Sequence, residues 1–549
     1  MIWPSARSTT KKTYFSPNKN VCHSLKYDPA LYDSRPVYYR GFRLFNLVKS
    51  DESLVDNPYL FKGTGVPESE TMTKLSTFLA VLAILIILAL GMWCCFPYWD
   101  DAWLYLYTRE RGSNLSNAIP DRRLVAMLME GAWCAGLPFM ILISLSLWAV
   151  LGFLSARLQQ TIFPSLEGYG PLCVVLTVSP VLAKCPLAVF NVTSTALLAI
   201  VVAYLGFFAI YSFVTYGIER YFRLVAGLFL FGVGILISEY AIPCALITIV
   251  LLLPNFKNEL YKRSAVTAVG LLTTVTAAAY LFTALHARTN TSPMYPFTQF
   301  RVMLINLPFT LAGAVWQSLV GAYIESLGYL SQLSLKNKPA LVFLVIGLII
   351  STFLYIACRK SEGPPWKSFV TPIIALIVGL LPLCLMYRVP YPNCATRLFM
   401  PVTPLASVLF VALLSKAFTG KLMPAVLVGL ICAAATGHLT LTAIKEERAL
   451  ARAAEILKPE VANSSNLVIA IIPSDGPDYA VTGQITKHWP IELEQRFWVI
   501  TEQAAPVVLG PRDRCNTELF TRDARLVQRF APVDKVLVVG EGWLYPYCK

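Results

Sequence analysis

Long uncharged hydrophobic runs recur along this chain and predict its architecture. The first run, Leu75 to Cys95, contains 21 residues and no charge. An α-helix rises about 1.5 Å per residue, so a run of this length crosses a hydrocarbon core about 30 Å thick. Similar runs continue to about residue 442. The pattern therefore predicts an all-α polytopic membrane protein.

The spacing of these runs predicts about eleven transmembrane helices. They cover residues 75–95, 134–155, 171–183, 195–217, 224–237, 241–254, 265–285, 339–358, 368–386, 398–416 and 422–442. The third, fifth and sixth are short or contain Pro, which favours helices shielded by protein rather than by lipid.

One stretch, residues 296–335, does not fit this series. Its aromatic and polar residues are scattered, which favours an interfacial helix within a long external loop, 286–338. A twelfth span here is the alternative, and it would invert the orientation of everything that follows.

Composition supports the membrane class. The chain is 56% hydrophobic and only 14% charged, with a mean hydropathy of +0.59. These values exclude an ordinary soluble globule. The net charge of +14 is better explained by cytoplasmic loops facing anionic lipid headgroups than by nucleic acid. The 13 Cys show no metal-ligand spacing, and most lie in apolar runs, where Cys is usually an inert small hydrophobe.

The distribution of basic residues predicts the orientation. Residues 1–74 carry 11 Lys/Arg against 7 Asp/Glu, which places this segment in the cytoplasm. It is rich in Ser, Asn, Pro and Tyr and is predicted to be a disordered extension, although Met72 is an alternative start. The same orientation places ten further basic residues on the cytoplasmic side: Arg157, Arg220, Arg223, Lys257, Lys262, Arg263, Arg359, Lys360, Lys416 and Lys421.

The C-terminal segment, residues 443–549, differs in character from the spans of residues 75–442. It begins with a charged helical stretch, and four strand-like runs follow at Leu467–Ile472, Phe497–Thr501, Pro506–Leu509 and Lys535–Val539. We predict a small external α/β domain. Cys515 and Cys548 lie within it and can form a disulfide in an oxidising compartment.

A pair of acidic residues, Asp100 and Asp101, directly follows the first span, beside Tyr98 and Trp99 and at the start of the first external loop, 96–133. Two adjacent carboxylates at the end of a membrane span are costly to desolvate, whereas the aromatic residues suit the membrane–water interface. One carboxylate could act as a general base toward a hydroxyl acceptor. The alternative is a pair of solvated loop acids that end a helix.

Other charged and polar residues lie at the external ends of the predicted spans. They are Lys184, Glu239, Tyr240, His286, Arg288, Arg388 and Arg397. Lys184, Arg388 and Arg397 are candidates for binding a donor phosphate, because Arg presents a planar fork and Lys a point charge. Tyr98, Glu239, Tyr240, His286 and Arg288 are candidates for acceptor contacts or for structural roles. For each residue the alternative is ordinary snorkelling at the interface.

These features resemble the integral-membrane class C glycosyltransferases, which include protein O-mannosyltransferases and lipid A aminoarabinose transferases. The resemblance lies in Asp100-Asp101 at the start of a first external loop, the break Ser238-Glu239-Tyr240-Ala241-Ile242-Pro243, and Arg397-Leu398-Phe399-Met400-Pro401. It covers residues 72–442 as architecture. It implies a polyprenyl-phosphate-linked sugar donor, a glycan, lipid or protein acceptor, and a multi-pass location in the inner or plasma membrane.

Other functions compete with this interpretation. A non-catalytic flippase for lipid-linked sugars is one alternative, and an O-antigen-type polymerase is another. No P-loop, GxGxxG, HExxH or convincing GxSxG motif is present, so nucleotide and zinc chemistry lack support. No cofactor is implied, apart from a divalent cation if Asp101 binds one.

We predict that Cys515 and Cys548 are paired. Closing a loop of about 34 residues would stabilise the C-terminal domain by about 3 kcal/mol, because the bridge restricts the unfolded chain. Thiol labelling of intact cells under non-reducing conditions checks this. Full labelling of both residues would show that the bridge does not form.

Overall fold

A computed structural model describes most of the apolar part of the chain and three short C-terminal strands. The described residues are 67–94, 135–182, 190–216, 221–287, 297–332, 338–359, 363–386, 399–462, 467–472, 507–509 and 535–540. Up to residue 462 this part of the chain is almost entirely helical.

Thirteen α-helices are found in the described ranges. They are α1 (Pro67–Cys94), α2 (Leu137–Ile162), α3 (Gly170–Val178), α4 (Phe190–Tyr216), α5 (Tyr221–Ile237), α6 (Ala241–Leu252), α7 (Glu259–Ala287), α8 (Phe297–Trp316), α9 (Ala322–Gln332), α10 (Lys338–Ala357), α11 (Val370–Met386), α12 (Thr403–Ala417) and α13 (Leu422–Ala462). Short 3₁₀ turns precede α3, α7 and α11, and a π-helical turn, Gln317–Gly321, joins α8 to α9.

Eight helical segments within the described residues are long and apolar enough to cross a membrane. They are Thr71–Trp93, Pro138–Ile162, Thr195–Tyr216, Tyr261–Phe282, Leu304–Leu330, Trp366–Leu385, Phe399–Ala417 and Leu422–Leu441. Three shorter apolar helices accompany them: Tyr221–Ile237, Ala241–Lys257 and Leu341–Ala357. The prediction of a multi-pass, helical membrane protein is confirmed at this level.

The third predicted span, 171–183, contains a helix that is too short to cross a membrane by itself. Helix α3 has only nine residues, so it is about 14 Å long. All of its residues except Pro171 are buried. It packs inside the bundle against α2, α1 and α12. The predicted shielding by protein is therefore found here. The helix ends at Val178 because Ser179 is extended and Pro180 follows.

The stretch 296–335 also differs from its predicted form. A helix runs through Phe297–Gln332 with a π-helical turn at Gln317–Gly321, and its Leu304–Leu330 segment meets the length and apolarity of a span. Its large apolar side chains, including Phe309 and Ile305, are exposed on the bundle surface. The helix is thus longer and more continuous than the scattered aromatic residues indicated, and its placement as an interfacial helix in the external loop 286–338 stays a prediction.

Small residues allow the helices to pack closely. An added Cβ at Gly347 would lie 3.2 Å from Ala433, and one at Gly429 would overlap the Ser351 hydroxyl, so α10 and α13 touch along their backbones. Gly206 and Gly227 bring α4 and α5 together in the same way. Close approach of this kind is how helices associate where water contributes no hydrophobic driving force.

One end of the bundle, which we call the basic end, gathers the connections that follow α2, α10 and α12. Three hydrogen bonds join these connections: the Arg359 N–H to the Gly168 carbonyl at 3.1 Å, the Tyr169 hydroxyl to the Gly420 carbonyl at 3.1 Å, and the Lys421 ammonium to the Cys358 carbonyl at 2.9 Å. Arg157, Arg359, Lys367, Lys416 and Lys421 lie in these connections or in the helix turns beside them. Four of the ten residues predicted to share one side, Arg157, Arg359, Lys416 and Lys421, thus lie at the same end of the bundle.

The described cysteines are inert, as their apolar surroundings predicted. Cys173, Cys244, Cys358, Cys384 and Cys432 are all buried and unoxidised. Burial raises the pKa of the Cys358 thiol to about 12, although the nearby Lys421 ammonium lowers it in part. This thiol therefore stays protonated and unreactive at neutral pH.

Three parallel strands follow α13. They are β1 (Leu467–Ile472), β2 (Val507–Leu509) and β3 (Lys535–Gly540), in the spatial order β2-β1-β3. Val468 pairs with Val507 on one side and with Val536 on the other. The predicted run Phe497–Thr501 and both Cys515 and Cys548 lie outside the described residues, so the external α/β domain as a whole stays a prediction.

Gly429→Ala should destabilise the bundle by about 1–3 kcal/mol, because the new methyl group must displace Ser351 and the α10 backbone. The matched control is Gly270→Ala on α7, where an added Cβ meets nothing within 4 Å. Thermal unfolding in detergent measures both. Equal midpoints for the two variants would contradict this account of the α10–α13 contact.

Reporter fusions test the orientation. A reporter placed after residue 445 should be active on the external side, and one placed after Lys360 should be active in the cytoplasm. This result is expected because basic connections are retained on the cytoplasmic side. A cytoplasmic signal after residue 445 would rule out the eleven-span arrangement.

Candidate functional site

The end of the bundle opposite the basic end, which we call the far end, is where four elements of the described chain meet. Helix α2 begins there, because its last turn lies at the basic end and its 26 residues extend about 39 Å. Helix α11 ends there and α12 begins there for the same reason, since α11 starts and α12 finishes at the basic end. The α5–α6 turn joins them through the contacts of Pro401.

The carbonyl of Pro401 connects three helices at the far end. It accepts a hydrogen bond from the buried Tyr204 hydroxyl of α4 at 2.9 Å and a weaker one from the Cys244 thiol of α6 at 3.8 Å. As a result, the segment Phe399–Val402 is fixed beside the first turn of α6.

The turn between α5 and α6 holds Glu239 at this end. The Ser238 N–H donates to the Gly234 carbonyl at 2.9 Å, and the Ile242 N–H donates to the Glu239 carbonyl at 3.0 Å. Ser238 and Tyr240 are buried, whereas Glu239 is half-buried. The turn therefore fixes the backbone on both sides of a carboxylate that keeps partial access to its surroundings.

The described structure thus brings together two of the three segments on which the family resemblance is based. Cys244, the residue directly after the break Ser238–Pro243, contacts the carbonyl of Pro401, and the segment Phe399–Val402 directly follows Arg397 and Leu398 in the sequence. Two of the predicted site residues, Glu239 and Tyr240, lie in this contact region. Sequence spacing alone could not predict this proximity, because the two segments are separated by more than 150 positions.

Most of the predicted site residues lie outside the described residues. These are Tyr98, Asp100, Asp101, Lys184, Arg288, Arg388, Arg397, Cys515 and Cys548. His286 belongs to the last turn of α7, but its side chain is not among those described. The roles of all these residues therefore stay predictions.

A polar cluster that the sequence did not identify lies within the candidate span Leu304–Leu330. The carboxylate of Glu325 accepts a hydrogen bond from the Tyr329 hydroxyl at 2.8 Å and another from the Gln317 side-chain amide at 3.3 Å. The Tyr329 ring stacks on the His438 ring of α13, with centroids 3.7 Å apart and planes 5° from parallel. We call these four residues the Glu325 cluster.

The π-helical turn positions the Glu325 cluster. It places Gln317 next to Glu325, eight residues further along the chain. A Cβ at Gly321 would lie 2.6 Å from the Gln317 side-chain oxygen and 3.0 Å from the Trp316 indole nitrogen. Glycine is therefore needed for both side chains to fold across the turn. Turns of this type occur frequently at functional sites.

The sequence did contain a signal for the cluster. Glu325 and Tyr329 are four residues apart, which places them on one helix face, and an ionisable residue in an apolar segment usually marks a functional site in a membrane protein. Interpreting the stretch as an interfacial helix concealed this signal. The contribution of His438 depends on the packing of α9 against α13, which no local pattern predicts.

Below the Glu325 cluster, the bundle interior contains further polar groups. The buried Tyr323 ring stacks on Phe410 with centroids 3.6 Å apart. Its hydroxyl lies near that of Ser407, yet among the described residues neither oxygen has a hydrogen-bond partner. No group of His, Cys, Asp and Glu within the described part of the chain is arranged to hold a metal ion.

No protein-family model, curated protein or solved structure matches this chain.

Proposed function

We propose that this protein is a membrane glycosyltransferase that transfers a sugar from a polyprenyl-phosphate donor to a hydroxyl acceptor at the far end of the bundle. The observation that carries the proposal is the contact of Cys244, in the first turn of α6 after Glu239, with Pro401 at the start of α12, four residues after Arg397. This contact joins an acidic and a basic segment of the resemblance at one end of the bundle. The first external loop, 96–133, also leads into α2 at that end.

The asymmetry of the bundle supports this location. Basic side chains gather at the basic end, as expected for the cytoplasmic side. Nucleotide sugars are cytoplasmic, so an enzyme acting on the other side needs a lipid-linked donor. The far end is therefore proposed to be external, with the N-terminal segment in the cytoplasm.

The geometry of α13 supports an external C-terminal domain. The helix has 41 residues and is about 62 Å long, but its apolar segment ends at Leu441. Because α13 starts at the basic end, its charged second half continues beyond the far end. We therefore place the strands β1–β3 and the rest of residues 443–549 outside the membrane. The eleven-span, class C arrangement belongs to the same proposal.

In the proposed reaction the acceptor oxygen attacks the anomeric carbon as its proton passes to a carboxylate. The bond from that carbon to the phosphate oxygen breaks, and polyprenyl phosphate leaves. A single displacement inverts the anomeric centre. Asp100 is the proposed base, Asp101 orients the acceptor or binds a divalent cation, and Lys184, Arg388 and Arg397 bind the donor phosphate.

A non-catalytic carrier of lipid-linked sugars is a second candidate, because one observation favours it. Glu325 and His438 are ionisable residues inside the limits of candidate spans, although each lies within six residues of a span end. Carriers place ionisable groups along a path through the membrane. The charged residues predicted at the external ends of the spans favour the enzyme, and the two candidates differ in whether a new glycosidic bond forms.

Asp100→Asn should retain donor binding and lose about 10²–10⁴-fold in transfer rate, because the general base is removed. Asp101→Asn should also slow transfer. The measurement uses the full chain in nanodiscs with polyprenyl-phosphate sugars of defined structure, and it also records the product's anomeric configuration and chain length.

The matched control is Glu259→Gln at the start of α7, whose exposed carboxylate pairs only with Lys262 at 3.0 Å among the described ion pairs. It should transfer sugar at the wild-type rate. If both Asp variants express normally and keep near-full activity, the carboxylate mechanism is wrong. Movement of donor across the bilayer without transfer would establish the carrier, and a growing glycan chain would indicate a polymerase.

A further inference from the structure

We propose that the Glu325 cluster and the adjacent Trp316 bind the sugar ring of a lipid-linked glycosyl group. This inference is an extension of the proposed function, since it assigns the contacts for the sugar itself rather than for its phosphate. It is supported by the position of the cluster in the bundle, by its chemistry and by its rigidity.

The cluster lies toward the far end. Helix α13 starts at the basic end with Lys421, so His438 is about 25 Å further along the helix axis. Tyr329 and Glu325 are within six residues of the end of the segment Leu304–Leu330, and His438 is within four of the end of Leu422–Leu441. The edge of an apolar segment is the depth at which lipid headgroups lie. A sugar attached to a membrane lipid would therefore meet the cluster at its own depth.

The side chains match the chemistry of a sugar. A pyranose has hydroxyl groups around its rim and apolar C–H faces. A carboxylate accepts hydrogen bonds from hydroxyls, an amide both accepts and donates, and an imidazole can do either. The exposed Trp316 indole supplies an aromatic face with a polar N–H edge. A few fixed polar groups among aromatic surfaces are typical of small-molecule sites.

The cluster is held in place before any ligand arrives. Protein donors orient both oxygens of the Glu325 carboxylate, at 2.8 Å from Tyr329 and 3.3 Å from Gln317. Stacking fixes Tyr329 against His438, and the glycine at 321 lets Gln317 and Trp316 fold over the π-helical turn. Pre-oriented groups lose little freedom on binding, which increases affinity.

Binding of lipid probes to the full chain in nanodiscs tests the inference without turnover. The probes are polyprenyl-phosphate glucose, mannose and galactose, sugar-free polyprenyl phosphate, and monohexosyl diacylglycerol. The wild type should prefer at least one sugar-bearing probe to the sugar-free one. Glu325→Gln should lower the affinity for that preferred probe by about ten- to a hundredfold, because a charge-assisted hydrogen bond is lost. The affinity for the sugar-free probe should not change.

Trp316→Ala is a second variant that tests the inference if Glu325→Gln folds poorly. Because the Trp316 side chain is 58% exposed, its removal should have little effect on folding. Phe309→Ala is the matched control, since this aromatic residue lies on the same helix and is 81% exposed. Trp316→Ala should weaken the preferred sugar-bearing probe, and Phe309→Ala should not.

The outcomes separate the sources of the sugar and the two proposals. If the variants bind only the phosphate-linked sugar probes more weakly, the site belongs to the donor. If they bind the diacylglycerol glycoside more weakly, the site belongs to an acceptor. The inference is overturned if folded variants bind every sugar as the wild type does, or if binding of sugar-free polyprenyl phosphate falls equally. The transfer assay with the Asp100 and Asp101 variants tests the proposed function, and its outcome does not depend on these binding results.

Discussion

The requirement that polar groups find partners inside an apolar bundle governs this structure. In lipid each unsatisfied backbone group costs several kcal/mol, so the chain folds into helices that satisfy their own hydrogen bonds. The same requirement extends to side chains. The hydroxyls of Ser155, Thr248, Ser351 and Thr436 each donate to a carbonyl three or four residues earlier on the same helix. Polar residues that cannot bond locally are found where helices meet.

Close helix packing creates these meeting points. Glycines at 347, 429 and 437 let α10 and α13 touch, and the neighbouring α9 then brings Tyr329 against His438. At the far end, Tyr204 and Cys244 converge on the Pro401 carbonyl. At the first point a ring stack joins α9 to α13, and at the second a backbone acceptor joins α4, α6 and the start of α12. The two regions proposed to act on the lipid-linked sugar are therefore also points that hold the bundle together.

The two ends of the bundle differ in ways that suit a directional membrane enzyme. The basic end is tied by short connections and three hydrogen bonds that involve main-chain carbonyls. At the far end, half-buried Glu239 lies in the α5–α6 turn and α13 continues beyond its apolar segment. An end that is closed by tied connections has little room for substrate. This division agrees with a reaction placed on one side of the membrane.

The class of this protein, the position of most of its helices and part of the grouping of its basic residues follow from local features of the sequence. Hydrophobic runs and charge bias are local properties, and a bilayer selects on them directly. Even the limits of β1 could be predicted as Leu467–Ile472. By contrast, the nine-residue length of α3, the helix through 297–332 and the Glu325 cluster were decided by tertiary structure. A short buried helix is stable only because neighbouring helices cover it, and His438 meets Tyr329 only because α9 packs on α13. Contacts between distant segments depend on how helices pack, and no local pattern in the sequence encodes that.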